Sequence, residues 1–147
     1  MHSPTQPLIT SAPPQILLID NHDSFTHLLG DLIWRAVGIS PTILPNNSPD
    51  LTASTLDNAD LIVISPGPGH PGVAEDIGAS TLAVQQKTTP VIGVCLGHQA
   101  ITLEAGARVE RATAPMHGLA SNVIHNSTGM FEGISSPMRV IRYHSLD

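Results

Sequence analysis

The chain has 147 residues, 41% of them hydrophobic, which suits one compact domain with a real core. Aromatics make up only 3%, so Leu, Ile, Val and Ala must fill that core. A net charge of -6 offers no basic face for nucleic acid, no apolar run is long enough for a bilayer, and one cysteine, Cys95, excludes an internal disulfide.

Residues 1–14 contain Pro4, Pro7, Pro13 and Pro14 and neither Lys nor Arg. They have no basic n-region or apolar h-region, and none of the arginines of a transit peptide. They read as a flexible leader, which points to the cytoplasm. Residues 15–147 then read as one domain.

Gln15–Ile19 is a short apolar run, predicted as a buried strand. Phe25, Leu28, Leu29, Leu32 and Ala36 follow at helical spacing, with Asp23 or Ser24 as cap and Gly38 as stop. Ile39–Leu44 is predicted as an edge strand because Pro41 interrupts it. Leu61–Ile64 is another buried strand, Val73–Gln86 a weakly amphipathic helix, and Val91–Val94 a fourth strand. A helix from about Gly97 to Glu104 follows, stopped by Gly106. From Arg108 onward the pattern changes. Asn122–His125 and Arg139–Tyr143 read as short strands, with turns at Asn126–Gly129 and Ser135–Pro137. Strands alternating with helices predict an α/β fold, an open and mostly parallel sheet with helices on both faces. Ligands in such sheets bind beyond the carboxyl ends of the strands. That rule selects Asp20–Ser24, Ser65–Gly72 and Cys95–Gln99.

The segment with the clearest chemistry is Gly93-Val94-Cys95-Leu96-Gly97-His98-Gln99. Gly-x-Cys-x-Gly between a strand and a helix is the thiol form of a nucleophile elbow. A helix N-terminus behind the sulfur favours thiolate, and the Leu96 N–H is placed to donate to a developing oxyanion. The bland alternative is a buried strand-end cysteine; the two glycines and the polar His98-Gln99 pair weigh against it. The loop Ser65-Pro66-Gly67-Pro68-Gly69-His70-Pro71-Gly72 matches G-x-G-x-x-G in letters. It lacks the acidic residue about 20 positions on, and its prolines obstruct a helix start, so dinucleotide binding is excluded. A stiff loop of this kind suits the wall of a small polar pocket. Asp20-Asn21-His22-Asp23-Ser24-Phe25 has two acids and a histidine, but its spacing fits a strand-end turn better than a metal site. His144, within Arg142-Tyr143-His144-Ser145, reads equally as a base or as a structural residue.

Together with Met116-His117-Gly118 and Tyr143-His144-Ser145-Leu146, these segments resemble the class I (triad) glutamine amidotransferases. The D-N-x-D-S-F and S-P-G-P-G pieces are similar to the branch serving aminodeoxychorismate synthase and anthranilate synthase. The resemblance implies a flavodoxin-like fold and hydrolysis of glutamine through a cysteine thioester, with the ammonia passed to a chorismate-using synthase. It makes Cys95 the nucleophile and gives the oxyanion hole to the backbone N–H groups of Gly67 and Leu96. It has Gly67, Pro68, Gly69, Gln99, Ser145 and Leu146 hold glutamine, with His144 only a neighbour. It implies no metal in this chain, and Mg²⁺ in the chorismate-binding partner. The run Gly106–Val109 followed by Pro115–Gly118 leans toward aminodeoxychorismate synthase.

Two departures stand out. Leu119 occupies a position where relatives often carry Lys. The family's H-P-E motif, which supplies the triad His and Glu downstream of Tyr143–Leu146, is not within residues 1–147, and the final strands of the fold are expected to be missing with it. His70-Pro71 is the only His-Pro pair and is followed by Gly72. A non-catalytic scaffold that kept the pocket is therefore the alternative reading, with a related cysteine peptidase behind it.

Overall fold

The computed structural model describes residues 12–146, in two compact units divided between Gly106 and Ala107. Most of the leader lies outside the described residues. The first unit is built on four strands, β1 (Ile16–Asp20), β2 (Thr42–Pro45), β3 (Leu61–Ile64) and β4 (Val91–Gly93). All pairings are parallel, in the order β2-β1-β3-β4. The central strands are continuous apolar runs, broken only by Asp20 at the end of β1, because both of their faces are covered. Leu17, Ile19, Ile62 and Ile64 point to one face and pack with Leu51, Leu56 and Ala83. Ile16, Leu18 and Val63 point to the other, against Leu29 and Ile33 of α1 (Thr26–Val37). Each fully buried Leu or Ile contributes about 1.5–3 kcal/mol of transfer free energy, so the sheet centre holds the unit together.

The remaining helices are α2 (Ala53–Asp57), α3 (Ala74–Ile77), α4 (Ser80–Val84) and α5 (Leu96–Glu104). The parallel sheet between helical layers is the predicted fold class. α1 ends at Gly38, whose φ of 73° is the left-handed stop expected of it.

Several details differ from expectation. The buried face of α1 carries Thr26, Leu29, Gly30 and Ile33, whereas Phe25, Leu28 and Leu32 are 59%, 53% and 53% exposed. The capping residue is Phe25, which makes no side-chain cap bond. Asp23 acts two residues before the cap, its carboxylate accepting the Phe25 N–H at 2.8 Å. The helix expected over Val73–Gln86 is two short helices. The break falls at Gly78 (φ 51°), where a Cβ would lie 2.7 Å from the Asn46 carbonyl oxygen. The next residue, Ala79, donates its N–H to that same oxygen at 2.7 Å. The short helix α2 was not foreseen; Thr52 caps it by accepting the Thr55 N–H at 3.2 Å.

The second unit is an antiparallel pair, β5 (Arg111–Val123) and β6 (Met138–Leu146). Both strands are longer than predicted, and β5 begins well before Asn122. Its sequence hides it, because Pro115 and Gly118 interrupt the alternation. The pairing register shifts between Arg111 and Met116 and again between His117 and Leu119. Both predicted turns fall between these strands, around a 3-10 turn at Gly129–Phe131.

Candidate active site

Cys95 stands between β4 and α5 with φ 51° and ψ -109°. A non-glycine residue rarely adopts positive φ, and strain of about 1–3 kcal/mol is retained only where the surroundings enforce it. Here they do. A Cβ on Gly93 would run into the Gly97 carbonyl group, and one on Gly97 would run into the Ile64 carbonyl oxygen. The two glycines therefore let α5 close down on β4 and β3, which leaves Cys95 on a forced turn. The turn is fastened by Val94 N–H to Ile64 O at 3.0 Å, Gly97 N–H to Val94 O at 3.0 Å and Gln99 N–H to Cys95 O at 2.9 Å. The thiol is exposed. This is the geometry of a nucleophile elbow: a presented sulfur at the N-terminus of a nine-residue helix.

The Pro/Gly loop leaves β3 at Ser65 and passes against Leu96. A Cβ on Gly67 would lie 2.5 Å from Asn21 Cβ, 2.7 Å from Leu96 Cδ2 and 2.9 Å from the Asn21 carbonyl oxygen. Gly67 is thus pinned between the end of β1 and the residue that follows Cys95, while Pro68 and Gly69 are exposed. Gly69 has φ 86°, and a Cβ there would overlap the Asp76 carboxylate. That carboxylate accepts the His70 N–H at 2.8 Å. Gln99 is half-buried in the first turns of α5.

Asp20–Phe25 forms a polar turn. The Asp20 carboxylate accepts the Thr26 hydroxyl at 2.6 Å and the Asp23 N–H at 3.2 Å, and His22 has φ 60°. Among the described residues no group of three or more His, Cys, Asp or Glu is placed to hold a metal ion. Asn46, Ser80 and Asp76 join Asn21 and Ser65 beneath the loop and were not foreseen. Asn46 was findable, since it directly follows β2 at the same carboxyl end of the sheet. A cavity of about 90 Å³ lined by Pro71, Ile77, Val84, Ala100 and Leu103 contains neither Cys95 nor Gly67. It is smaller than the few hundred Å³ usual for a ligand site.

Ser145 and Leu146 end β6 in the second unit, Ser145 exposed and Leu146 half-buried. In the same unit both ring nitrogens of His144 are engaged locally. Nε2 accepts the Arg142 Nε–H at 2.9 Å, and Nδ1 pairs with the Leu146 carbonyl at 3.1 Å. Both contacts lie within β6 itself.

Comparison with known proteins gives the same direction. Residues 17–147 match the family model described as glutamine amidotransferase class-I. An aminodeoxychorismate synthase of Streptomyces griseus is 47% identical over 130 residues, covering 88% of this chain and 18% of that protein. Anthranilate synthase component 2 of Saccharolobus solfataricus is 38% identical over 135 residues, covering 88% of this chain and 69% of its own. The crystal structure of a Thermoplasma acidophilum protein assigned to GMP synthase superposes with a TM-score of 0.75 at 30% identity. That match covers 93% of this chain and 67% of the other. The chain spans only 18% of the length of the Streptomyces relatives it matches. No helix among the described residues is long and apolar enough to cross a membrane. With the family model spanning nearly the whole chain and the elbow, loop and parallel sheet in place, the chain belongs to the class I glutamine amidotransferases.

Proposed function

We propose that this domain hydrolyses L-glutamine through Cys95 and supplies the ammonia to a chorismate-using synthase in the cytoplasm. The observation that carries the proposal is the strained, exposed Cys95 at the start of α5, with Gly67 pinned against Leu96 beside it. The Cys95 thiolate adds to the side-chain amide carbon of glutamine, and the carbonyl electron pair moves onto oxygen. The N–H groups of Gly67 and Leu96 stabilise that oxyanion. One such donor is worth roughly 10²–10³ in rate. Collapse breaks the C–N bond, and the departing nitrogen takes a proton and leaves as ammonia. Water then cleaves the γ-glutamyl thioester, giving glutamate and the free thiol. The base that handles these protons comes from the H-P-E motif that the resemblance puts downstream of Leu146. In this reading Pro68, Gly69 and Gln99 of the first unit hold the substrate. The chain itself uses no metal, and Mg²⁺ serves the chorismate-binding partner.

Aminodeoxychorismate synthase is preferred over anthranilate synthase as the partner. The 47% match to a protein of the first name, against 38% for the second, supports that order. The test is glutamate release by the natural full-length protein, alone and with its synthase, beside a Cys95→Ala variant. Cys95-dependent release, coupled to amination of chorismate, is expected. Stable folding and synthase binding with no glutamate release would favour the non-catalytic scaffold instead. Faster cleavage of a peptide than of glutamine would make it a peptidase.

A further inference from the structure

Beneath the loop that carries Gly67 lies a polar cluster with almost no solvent access: Asn21 is 1% exposed, Asn46 2%, and Ser65 and Ser80 0%. Its centre is the Asn21 side chain. The amide oxygen accepts from Asn46 Nδ2 at 3.0 Å and from the Ser80 hydroxyl at 2.8 Å. Its amide nitrogen donates to the Ser65 carbonyl at 3.0 Å. The Asn21 backbone N–H donates to Ser65 Oγ at 2.9 Å, and Ser65 Oγ in turn donates to the Pro66 carbonyl at 2.7 Å. Asn46 Nδ2 also reaches the Asp76 carbonyl at 3.0 Å, on the helix whose carboxylate holds His70. One residue thereby joins the ends of β1, β2 and β3 to the break between α3 and α4. No buried side-chain N or O among the described residues is left without a partner.

A core of this size has no need of so many buried polar groups for stability, since each is costly to desolvate and returns little net. What the cluster does fix is position. Asn21 touches the loop three times: through its amide nitrogen, through its backbone N–H, and through the packing of its Cβ and carbonyl against Gly67. Gly67 approaches Asn21 so closely that a Cβ would not fit, and the two bonds between Asn21 and Ser65 fasten the start of the loop to the end of β1.

We infer that Asn21, acting through Ser65, is a positioning residue that sets the Gly67 N–H at the height an oxyanion on the Cys95 adduct requires. The side-chain hydrogen bonds of Asn21 run to Ser65, Asn46 and Ser80. The inference rests on the amidotransferase reading and adds to it the device that keeps its oxyanion donor in place. Donors of this kind work because they are held before the charge develops, and a shift of about 1 Å costs on the order of 10²-fold.

The test uses two variants of the natural full-length protein. Asn21→Asp keeps size and the acceptor oxygen but sets an oxygen against the Ser65 carbonyl. Ser65→Ala is the milder change and deletes only the hydroxyl that links Asn21 N–H to Pro66. Three quantities are read per folded molecule. They are kcat for glutamine, the affinity for the γ-aldehyde of glutamate, and the rate of Cys95 alkylation by iodoacetamide. The aldehyde adds reversibly to the thiol, placing its oxygen where the oxyanion forms.

The expected result is a fall of about 10- to 100-fold in kcat and in aldehyde affinity. Alkylation should change by less than about twofold, because β4 and α5 hold the thiol independently. A role confined to folding would lower the folded fraction and leave all three per-molecule values intact, and that result overturns the inference. So does parallel loss of alkylation with the other two, which would place the effect on Cys95 itself. Wild-type protein that neither binds the aldehyde nor hydrolyses glutamine overturns the amidotransferase reading, and this inference with it. An active wild type with unaffected variants overturns this inference alone.

Discussion

Gly93→Ala isolates the close approach that forces the Cys95 turn. A Cβ at residue 93 would overlap the Gly97 carbonyl group and lie 2.5 Å from the His98 nitrogen. Ordinary contacts begin near 3.5 Å, so α5 must retreat by roughly 1 Å. The atoms it meets are backbone within a helix and cannot rotate aside. Overpacking of this kind costs about 1–3 kcal/mol. The same retreat relaxes the Cys95 turn and displaces the Leu96 N–H, and a 1 Å misplacement lowers the rate by about 10²-fold. Urea denaturation measures the first effect, and glutamate release per folded molecule measures the second. Gly38→Ala is the control. Residue 38 also has positive φ (73°), but nothing lies within 4 Å of its Cβ position. It should cost about 1–2 kcal/mol from backbone strain alone and leave the specific activity unchanged. A Gly93→Ala protein with wild-type stability and activity would refute the reasoning, because the β4–α5 approach would then not be what forces the turn.

Three further outcomes are expected. Leu18→Ala removes a side chain with no solvent exposure from the central strand; it should cost about 2–5 kcal/mol in chemical denaturation. On α1, Ile33→Ala should lower stability by about 2 kcal/mol, whereas Leu32→Gln, at a 53% exposed position, should stay within about 0.5 kcal/mol. The reverse order would restore the face predicted from spacing. Thr52→Ala removes the cap of α2 and should cost about 1 kcal/mol without altering Cys95 alkylation.

The sheet was legible in the sequence because burial on both faces writes itself as continuous apolar runs: Leu61–Ile64 was predicted to the residue, and β1 and β4 within one residue at each end. The orientation of α1 was not, because apolar residues occur around most of that helix. The small residues on it were the better guide. A Cβ on Gly30 would lie 3.4 Å from Ile43 Cδ1 and 3.7 Å from Leu18 Cδ2, so it marks the side that lies against the sheet. The break at Gly78 was hidden because its cause, the carbonyl of Asn46, is distant in sequence. The long β5 was hidden by register shifts that disrupt alternation.

At the site, the elbow was readable from two glycines flanking a cysteine, since they record how closely the backbones must pass. The rigid loop was readable from its prolines. The polar cluster under it was not, because Asn21, Asn46, Ser65 and Ser80 are scattered along the chain and assemble only where three strands end together. Local sequence carries backbone constraints well, and carries hydrogen-bond partners far apart in sequence poorly.

The most direct measurement of the central claim is acid quenching of the natural full-length protein during turnover of glutamine, followed by peptide mass spectrometry. The account predicts one γ-glutamyl group on the peptide bearing Cys95, and none in Cys95→Ser. Glutamate release that persists in Cys95→Ser, or an adduct found on any other residue, would contradict it.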